Sequence, residues 1–277
     1  MHERFVVSSS TQQILDNIQR HERIASAYDQ RHEEIYNEVE QQRLRAAIRQ
    51  ALEAAQTDSH QKRAFDLGCG AGNLTRHFLA EQCKVTAADV TPSFVAMVTA
   101  FDRQHVDGLI LNGEDLSNVP DASYDIAATY SVLHHIPDYL GIVSEMARII
   151  KPGGVVLIDH EWSAGNWQPS PALLEYRSQT EQPRTLQWYT SRLFRLGWWL
   201  TRWKQLFNPR YQEEGDIHVW PDDHIEWDAV EHTLVQANCV IIHSEDYLLY
   251  EPHVDPSVYE KYRDRCSNMH LCIAQKQ

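Results

Sequence analysis

The sequence predicts an α/β fold, in which helices cover both faces of a mostly parallel β-sheet. Short β-type runs alternate with helix-length segments between residues 63 and 160, and this alternation is typical of right-handed βαβ units. A further helix and two strand-like runs follow residue 227. With 277 residues, of which 43% are hydrophobic and 23% are charged, the chain is long enough to bury a core without a metal ion or a disulfide.

The N-terminal segment, residues 1–60, is predicted to be helical. Residues 11–56 contain no glycine or proline and are rich in Gln, Glu, Arg and Ala. Apolar residues recur there at helical spacing, which predicts two or three amphipathic helices. These residues are Ile14, Ile18, Ile24, Tyr28, Ile35, Val39, Leu44 and Ile48.

The central segment, residues 61–161, is expected to form the α/β core. The predicted strands cover residues 63–67, 84–90, 108–111, 124–130 and 155–159, and the predicted helices cover residues 72–82, 92–104 and 139–150. Lys151-Pro152-Gly153-Gly154 is predicted to end the third helix and to turn the chain into the last of these strands.

An aromatic-rich insertion, residues 162–227, is expected to cap this core. It contains all eight tryptophans of the chain, from Trp162 to Trp227. Residues 228–277 then return to the α/β pattern, with a helix at 228–238 and strands at 240–249 and 270–275. We therefore expect a Rossmann-like, doubly wound sheet with N-terminal helices and a cap insertion.

Charge and cysteine content exclude several classes of function. The chain has 25 basic and 39 acidic residues, a net charge of −14, which gives no global reason to bind nucleic acid. Its five cysteines form no C-x-x-C pair, so we expect reduced thiols and a cytoplasmic location. The N-terminus lacks the layout of a signal peptide, and no apolar run approaches the roughly 20 residues that span a bilayer.

A glycine-rich loop, Gly68-Cys69-Gly70-Ala71-Gly72, follows the first predicted strand. Its spacing differs from the dinucleotide fingerprint, which would place its third glycine at Asn73. Asp66 precedes the loop, where a carboxylate repels a pyrophosphate and attracts an ammonium group. Asp89 ends the next strand, 17 residues after Gly72, which is close to the offset at which an acid reaches ribose hydroxyls. The alternative is a tight turn with two exposed carboxylates and no ligand.

Together these motifs resemble the class I S-adenosylmethionine-dependent methyltransferases, particularly the small-molecule branch that includes ubiquinone/menaquinone C-methyltransferases. Residues 65–73 are similar to the glycine-rich first motif, and residues 89–92 to the ribose-binding acidic motif. Residues 123–137 resemble the fourth-strand motif, and residues 147–154 the segment before the fifth strand. Residues 25–29 are similar to the N-terminal element that closes over the cofactor.

This resemblance implies S-adenosyl-L-methionine as the cofactor and a small-molecule or lipid-like acceptor that is methylated by in-line displacement. Many relatives carry Gly-Asp-Ala after the third strand, where this chain reads Leu111-Asn112-Gly113-Glu114-Asp115. Either Asn112 or Glu114 is therefore expected to accept from the adenine amino group. The cofactor contacts that the resemblance implies are Tyr28, Asp66, Gly68, Gly70, Gly72, Asn73, Asp89, Val90, Asn112, Gly113, Glu114 and Ser131.

Two histidines lie where the fourth and fifth strands are predicted to end, at the ligand crevice of such a sheet. His135 and His160 are our candidate general bases, since an imidazole accepts a proton near neutral pH. A histidine that only bonds to a loop backbone is the alternative. Glu161 and Trp162 are expected to contact the substrate.

We expect no metal ion. The potential ligands Asp216, His218, Asp222, Asp223 and His224 lie close together in the sequence, but they form no helical i, i+4 ligand pair.

Residues 184–211 form a basic, aromatic segment with six Lys or Arg residues and no acidic one. Its apolar residues share one helical face. Three roles stay open: a cap packed on the core, a substrate lid in which Trp199 and Arg202 contact the acceptor, or a peripheral contact with an anionic membrane.

The function of the chain has alternatives to methyl transfer. These are cyclase-like chemistry that uses the sulfonium charge, a cofactor-binding module without turnover, and a nicotinamide oxidoreductase. The oligomeric state is open.

Overall fold

The computed structural model describes residues 33–180, 196–207, 210, 212 and 216–277. In this part of the chain, one sheet is formed by seven strands: β1 Arg63–Leu67, β2 Lys84–Asp89, β3 Val106–Ile110, β4 Tyr124–Tyr130, β5 Ile150–Trp162, β8 Cys239–Tyr247 and β9 Met269–Lys276. Their order in the sheet is β3-β2-β1-β4-β5-β9-β8. The first five strands are parallel, and β9 runs antiparallel to both β5 and β8. The predicted α/β fold with a mostly parallel sheet is therefore confirmed.

The central strands are buried on both faces, as a parallel sheet covered by helices requires. Every residue of β4 is buried, and so are four of the five residues of β1. The edge strands β3 and β8 are more exposed. A separate hairpin is formed by β6 Val219–Trp220 and β7 Asp223–His224.

Helices cover the sheet on both faces and divide the apolar core into two clusters. On helix α1, Leu44, Ile48 and Ala51 recur at helical spacing and are fully buried. The helices of the core are α1 Glu38–Ala54, α2 Asn73–Ala80, α3 Pro92–Thr99, α4 Tyr139–Ile149 and α8 Trp227–Gln236. The part of the N-terminal prediction that covers residues 11–32 lies outside the described residues.

The end of helix α4 differs from the prediction. Residues 151–154, expected to be a turn, belong to β5, which pairs with β4 from Ile150 onward. Gly153 has φ +75°, and the register between the two strands shifts between Tyr124 and Ile126. The Pro-Gly-Gly sequence is therefore accommodated as an irregularity within a long strand, the kind of position where proline and glycine occur in sheets.

The insertion contributes short helices and one longer one: α5 Ala164–Trp167, α6 Pro171–Thr180 and α7 Leu196–Phe207. Helix α6 packs against α9 Pro256–Tyr262, where Tyr176 and Tyr262 lie in a third apolar cluster.

Within the described residues, no helix has both the length and the apolar character needed to cross a bilayer. The division of the chain after residues 60, 161 and 227 stays a prediction.

Strand order reverses between β1 and β4. From β1 the chain builds the sheet outward through β2 and β3, and it then returns to build the other side through β4 and β5. In open α/β sheets, ligands bind at the carboxyl ends of the strands beside such a switch point. The fold therefore places the candidate ligand site at the carboxyl ends of β1, β4 and β5.

We expect strand β9 to carry a large share of the stability, because it joins β5 to the edge strand β8. Ile273 on β9 is fully buried, so Ile273→Ala should lower the free energy of unfolding by about 2–5 kcal/mol. Urea unfolding followed by circular dichroism measures this. The matched control is Ile242→Ala on β8, where the side chain is 39% exposed and the loss should be below about 1 kcal/mol. Equal losses in the two variants would contradict the assignment of β9 to the core.

Candidate functional site

Two clefts meet at the carboxyl ends of the central strands. One, the loop cleft, is lined by the glycine-rich loop and by the ends of β2, β3 and β4. The other, the insertion cavity, has a volume of about 640 Å³ and is lined by the ends of β4 and β5 and by the insertion. Ser131 and His135 line both. The two spaces therefore adjoin at the end of β4.

The glycine-rich loop is held by backbone hydrogen bonds to β2. The N–H groups of Gly68 and Cys69 both donate to the carbonyl of Ala88, at 2.8 and 3.0 Å. The N–H of Gly70 donates to Oδ2 of Asp89 at 3.0 Å. A Cβ atom on Gly70 would meet no atom closer than 4.0 Å, so this residue faces the open cleft. A side chain there would occupy space that a ligand needs.

The other two glycines of the loop are required by packing. Gly68 has φ +69°, and a Cβ atom on it would lie 2.5 Å from Val132. Gly72 has φ +85°, and its Cβ atom would lie 2.4 Å from the ring of Phe101. Both positions combine a left-handed backbone with no room for a side chain. The three predicted glycines therefore have different roles, and Gly70 is the one that opens the cleft.

Asp66 lies beneath the loop and is almost completely buried. Thr75 donates to its Oδ2 at 2.5 Å. Burial raises the pKa of Asp66 to about 7, because the hydrogen bond from Thr75 compensates only partly and the negative charge of Asp89 raises the pKa further. A cation placed against this carboxyl group would stabilise its ionised form.

The far end of the loop cleft differs from the sequence prediction in one residue. Gly113 and Val90 line the cleft, but Asn112 and Glu114 are exposed and do not. The side chain of Asn112 is used within its own loop, where its oxygen accepts from the N–H groups of Glu114 and Asp115. Asp115 lines the cleft instead. Sequence reasoning missed it because the turn after β3 shifts the acidic residue by one position.

A short segment before helix α1 borders the insertion cavity and a small pocket beneath the glycine-rich loop. Ile35 is buried and lines the insertion cavity. It also lines a small pocket beneath the glycine-rich loop, together with Tyr36, Asp66 and Asn73. Asn73 accepts from Gln41 of helix α1 at 2.9 Å. The segment before helix α1 therefore lines both the insertion cavity and the small pocket beneath the loop. The predicted contact Tyr28 lies outside the described residues.

His160 is held at a bulge of β5 by buried polar groups. It has φ +63°, and the register with β9 shifts there, between Asp159 and Glu161. Its ring stacks on Tyr130, with centroids 4.5 Å apart. Its Nδ1 atom lies 3.3 Å from the hydroxyl of Tyr247 and 3.7 Å from Glu40. The ring also lines the insertion cavity.

An ion cluster lies directly behind His160. Arg43 of helix α1 donates to both oxygens of Asp159, at 3.1 and 2.9 Å, and to Glu40 at 2.5 Å. Burial raises the pKa of Glu40, but hydrogen bonds with His160 and Arg43 outweigh this effect and bring the pKa down to about 2. Glu40 is therefore ionised. The guanidinium also stacks on Tyr247, 3.8 Å from the ring centroid. No local sequence motif identifies this cluster, since its members come from three separate elements, α1, β5 and β8.

The other two predicted substrate residues on β5 have structural contacts as well. Glu161 is buried and accepts from the N–H groups of Val132 and Leu133 and from Nδ1 of His134, at 2.7–2.8 Å. Trp162 is 40% exposed and lines the insertion cavity beside Glu161. Both predicted residues therefore reach the cavity, with Glu161 already engaged by the turn after β4.

Trp199 and Arg202 are not in the described lining of the insertion cavity. They lie on helix α7 at a separate surface groove with Trp203, Gln205 and Leu206. Trp199 is 50% exposed and Leu206 is 79% exposed. The expectation that Trp199 and Arg202 contact the substrate is therefore not supported, because the helix presents them to solvent.

Comparisons with known proteins identify the central part of the chain. Residues 65–158 match a family model described as a methyltransferase domain. A ubiquinone biosynthesis O-methyltransferase of Xanthomonas oryzae pv. oryzae is 31% identical over 108 residues, which cover 38% of this chain and 45% of the relative. One from Xanthomonas campestris pv. campestris is 31% identical over 99 residues, covering 35% and 41%. The alignments thus span less than half the length of these curated relatives.

Solved structures agree on the fold. An S-adenosylmethionine-dependent methyltransferase from Mesorhizobium loti superimposes with a TM-score of 0.52 at 20% identity, covering 83% of this chain and 98% of the other. One from Methanosarcina mazei has a TM-score of 0.50 at 18% identity, covering 79% and 93%. At these identities the likeness establishes the Rossmann-like fold only.

Asp66 should give the ligand-free protein a distinctive dependence of stability on pH. Its pKa is about 7 in the folded protein and 3.8 in a model compound, so its contribution is fully present below pH 4 and is lost as the pH rises through 7. The variant Asp66→Asn has no such loss. We expect the stability of the variant relative to the native protein to increase by about 1.4 kcal/mol per pH unit within this window. Urea unfolding of both proteins between pH 5 and 8 measures it, and parallel curves would contradict the raised pKa.

Proposed function

Because residues 65–158 carry a methyltransferase domain, we propose that the chain is an S-adenosylmethionine-dependent methyltransferase that acts on a small-molecule or lipid-like acceptor. The observation that carries this proposal is the meeting of the loop cleft and the insertion cavity at Ser131 and His135. An in-line displacement needs the methyl donor and the acceptor on opposite sides of one opening. We also propose a cytoplasmic location.

The residues of the loop cleft fit S-adenosylmethionine, which supplies an electrophilic methyl group on a sulfonium. Gly70 leaves open the space that a Cβ atom would fill. Asp66, with its raised pKa, would hold the ammonium group in the pocket beneath the loop. Asn73 lies in the same pocket, and its buried Nδ2 atom has no hydrogen-bond partner within the described part of the chain. This amide would donate to the amino-acid carboxylate.

The ribose and adenine contacts follow the loop cleft away from Asp66. Asp89 lines the cleft at the end of β2, where its carboxylate would accept from the ribose hydroxyls. Asp115, rather than Asn112 or Glu114, would accept from the adenine amino group, since it is the acidic side chain of that turn that lines the cleft. Val90 and Gly113 would pack against the adenosine.

His160 is the proposed general base. Its Nδ1 side faces Tyr247 and Glu40, while Nε2 makes no hydrogen bond within the described residues and the ring lines the insertion cavity. A histidine held on one nitrogen by polar groups and open on the other has the arrangement of an oriented base. His160 would take the proton that the acceptor loses as its bond to the methyl group forms.

An oxygen acceptor is favoured by the relatives, which are named ubiquinone biosynthesis O-methyltransferases. The insertion cavity supports a polar acceptor, because its described lining contains four carboxylates and five histidines, but only one arginine. These residues are Glu34, Glu161, Asp216, Glu251, His134, His135, His160, His218, His253 and Arg177. A neutral hydroxyl fits such a surface better than an anion does.

Helix α7 supports a lipid-like acceptor that is reached at a membrane surface. Trp203 is 61% exposed, next to the exposed groups Trp199, Leu206 and Arg202. An exposed face that combines large apolar side chains with a basic one is typical of interfacial helices. This position favours a peripheral membrane contact over a substrate lid for helix α7, and residues 184–195, 208, 209 and 211 of the basic segment lie outside the described residues.

The function is tested by following the label of methyl-tritiated S-adenosylmethionine into extracted phenol, carboxylate and amine acceptors. We expect label in an O-methylated product. Asp89→Ala should weaken the binding of S-adenosylhomocysteine about 10- to 150-fold, since it removes charge-assisted hydrogen bonds, and Gly70→Val should bind less still. The control is Asp107→Ala, an exposed acid on β3. Tight cofactor binding without label transfer would leave cyclase-like chemistry or a binding module instead.

The role of His160 is tested by replacing it with alanine. If it removes a proton, His160→Ala should lower kcat about 10²- to 10⁴-fold and leave the affinity for S-adenosylhomocysteine unchanged. Tyr247→Phe keeps the ring under Arg43 but removes the hydroxyl near Nδ1, so a smaller fall in kcat with an unchanged KM is expected. Unaltered turnover in both variants would show that the acceptor loses its proton without this histidine.

The membrane contact is tested by co-sedimentation with phosphatidylcholine vesicles, with and without phosphatidylserine. Binding is expected to the anionic vesicles only and should weaken with added salt. A double variant, Trp199→Ala with Trp203→Ala, should lose most of this binding. The matched control is Leu174→Ala, an equally exposed apolar residue on helix α6 that is 54% exposed. Absence of binding at low salt would rule out the membrane contact.

A further inference from the structure

Three potential metal ligands converge where the loop cleft meets the insertion cavity. His134 and His135 lie in a single turn of 3₁₀ helix after β4, and Asp216 comes from the insertion. Oδ1 of Asp216 lies 3.4 Å from Nδ1 of His135 and 3.9 Å from Nε2 of His134. One ligand atom from each residue lies within 4.8 Å of the others. Each residue is half-buried, so the cluster is accessible from the cavity.

The spacing of these atoms suits a divalent cation. A Zn²⁺ ion binds imidazole nitrogens and carboxylate oxygens at about 2.0–2.2 Å, so ligand atoms around it lie about 3.3–3.6 Å apart in tetrahedral geometry. The distance of 3.4 Å from Asp216 to His135 already lies in this range, and the distance of 3.9 Å to His134 is close to it. Two imidazoles and one carboxylate form a donor set that suits Zn²⁺ and Fe²⁺ better than Mg²⁺.

A second and independent observation is the way His134 is oriented. Its Nδ1 atom is 2.7 Å from Oε2 of Glu161, which leaves Nε2 directed toward Asp216. Oε1 of the same carboxylate accepts from the N–H groups of Val132 and Leu133, and Glu161 is buried. A carboxylate that fixes the far nitrogen of a histidine is the usual outer support of a metal ligand.

The position of the cluster gives the ion an open coordination site on the acceptor side. His134, His135 and Asp216 all line the insertion cavity, and His135 also lines the loop cleft. Three protein ligands with a free position facing a cavity characterise catalytic rather than structural sites. His218 does not join the cluster, because its ring contacts Asp223 and the carbonyl of Ile136.

We propose that His134, His135 and Asp216 bind one divalent transition-metal ion, with Glu161 as a positioning residue, and that the ion holds the oxygen of the acceptor. The binding part stands alone, and the acceptor role rests on the proposed function. A bound hydroxyl becomes more acidic. It gives its proton to His160 as the oxygen–methyl bond forms and the sulfur–methyl bond breaks, leaving neutral S-adenosylhomocysteine. The expectation of no metal ion rested on the donors between Asp216 and His224, whereas the two histidines beside Asp216 come from some 80 residues earlier in the chain.

The test uses the tag-free full chain after treatment with a chelator. Zn²⁺ is titrated in competition with a chromophoric chelator, and Co²⁺ binding is followed by its visible absorption. We expect one equivalent of each ion to bind, with no displacement by excess Mg²⁺. His134→Ala and Asp216→Asn should each weaken Zn²⁺ binding at least about 100-fold, and Glu161→Gln should weaken it about 10- to 100-fold. The matched control, His253→Ala in the same cavity, should bind normally.

Failure of this proposal is distinguishable from failure of the proposed function. S-adenosylhomocysteine binding to the metal-free protein, measured by calorimetry, tests the cofactor site alone. Asp216→Asn, at a partly exposed loop position, should keep native circular dichroism, so its loss of Zn²⁺ is not a folding defect. Stoichiometric Zn²⁺ binding that is unaffected in His134→Ala and Asp216→Asn would overturn the site, as would the absence of binding in the native chain.

Discussion

The ion pair between Arg43 and Asp159 is the contact on which the arrangement of the site depends. It joins helix α1 to the end of β5 in a setting where Asp159 has no exposed surface. One guanidinium serves two carboxylates, Asp159 and Glu40, and two tyrosine hydroxyls complete their hydrogen bonding. Removal of one partner from such a cluster leaves a buried charge uncompensated, which typically costs about 3–5 kcal/mol. This contact fixes helix α1, and with it the preceding segment that lines the insertion cavity and the pocket beneath the glycine-rich loop.

Two residues with a left-handed backbone conformation lie where the loop cleft and the insertion cavity separate. Ser131 has φ +59° at the end of β4, and His160 has φ +63° at the bulge of β5. Non-glycine residues adopt this backbone rarely, and such positions concentrate at functional sites. Here the N–H of Ser131 donates to the carbonyl of Asp159, so the two strand ends are tied together as the chain leaves the sheet. The loop cleft and the insertion cavity diverge from this point.

The structure confirms the fold that the sequence predicted, and it brings Gly70 and Asp89 to one cleft, as expected. Strand periodicity and the glycine-rich loop are local signals, so β1, β4 and the positions of Gly70 and Asp89 follow from a few adjacent residues. The pairing of Glu40 with His160, or of Asp216 with His135, depends on chain segments that are far apart in sequence. No periodicity encodes such distances. Asp115 was missed for a smaller reason, since the geometry of one turn decides which of two neighbouring acids faces inward.

The segment around Ile35 has a consequence for the kinetics of ligand exchange. Ile35 borders the pocket under the glycine-rich loop and the insertion cavity at once, and helix α1, three residues later, is held rigidly by Arg43. A displacement of this segment that lets one ligand leave also removes part of the wall that confines the other. If each space holds a ligand, as proposed above, a ligand in either one would slow release from its neighbour, because the same segment confines both.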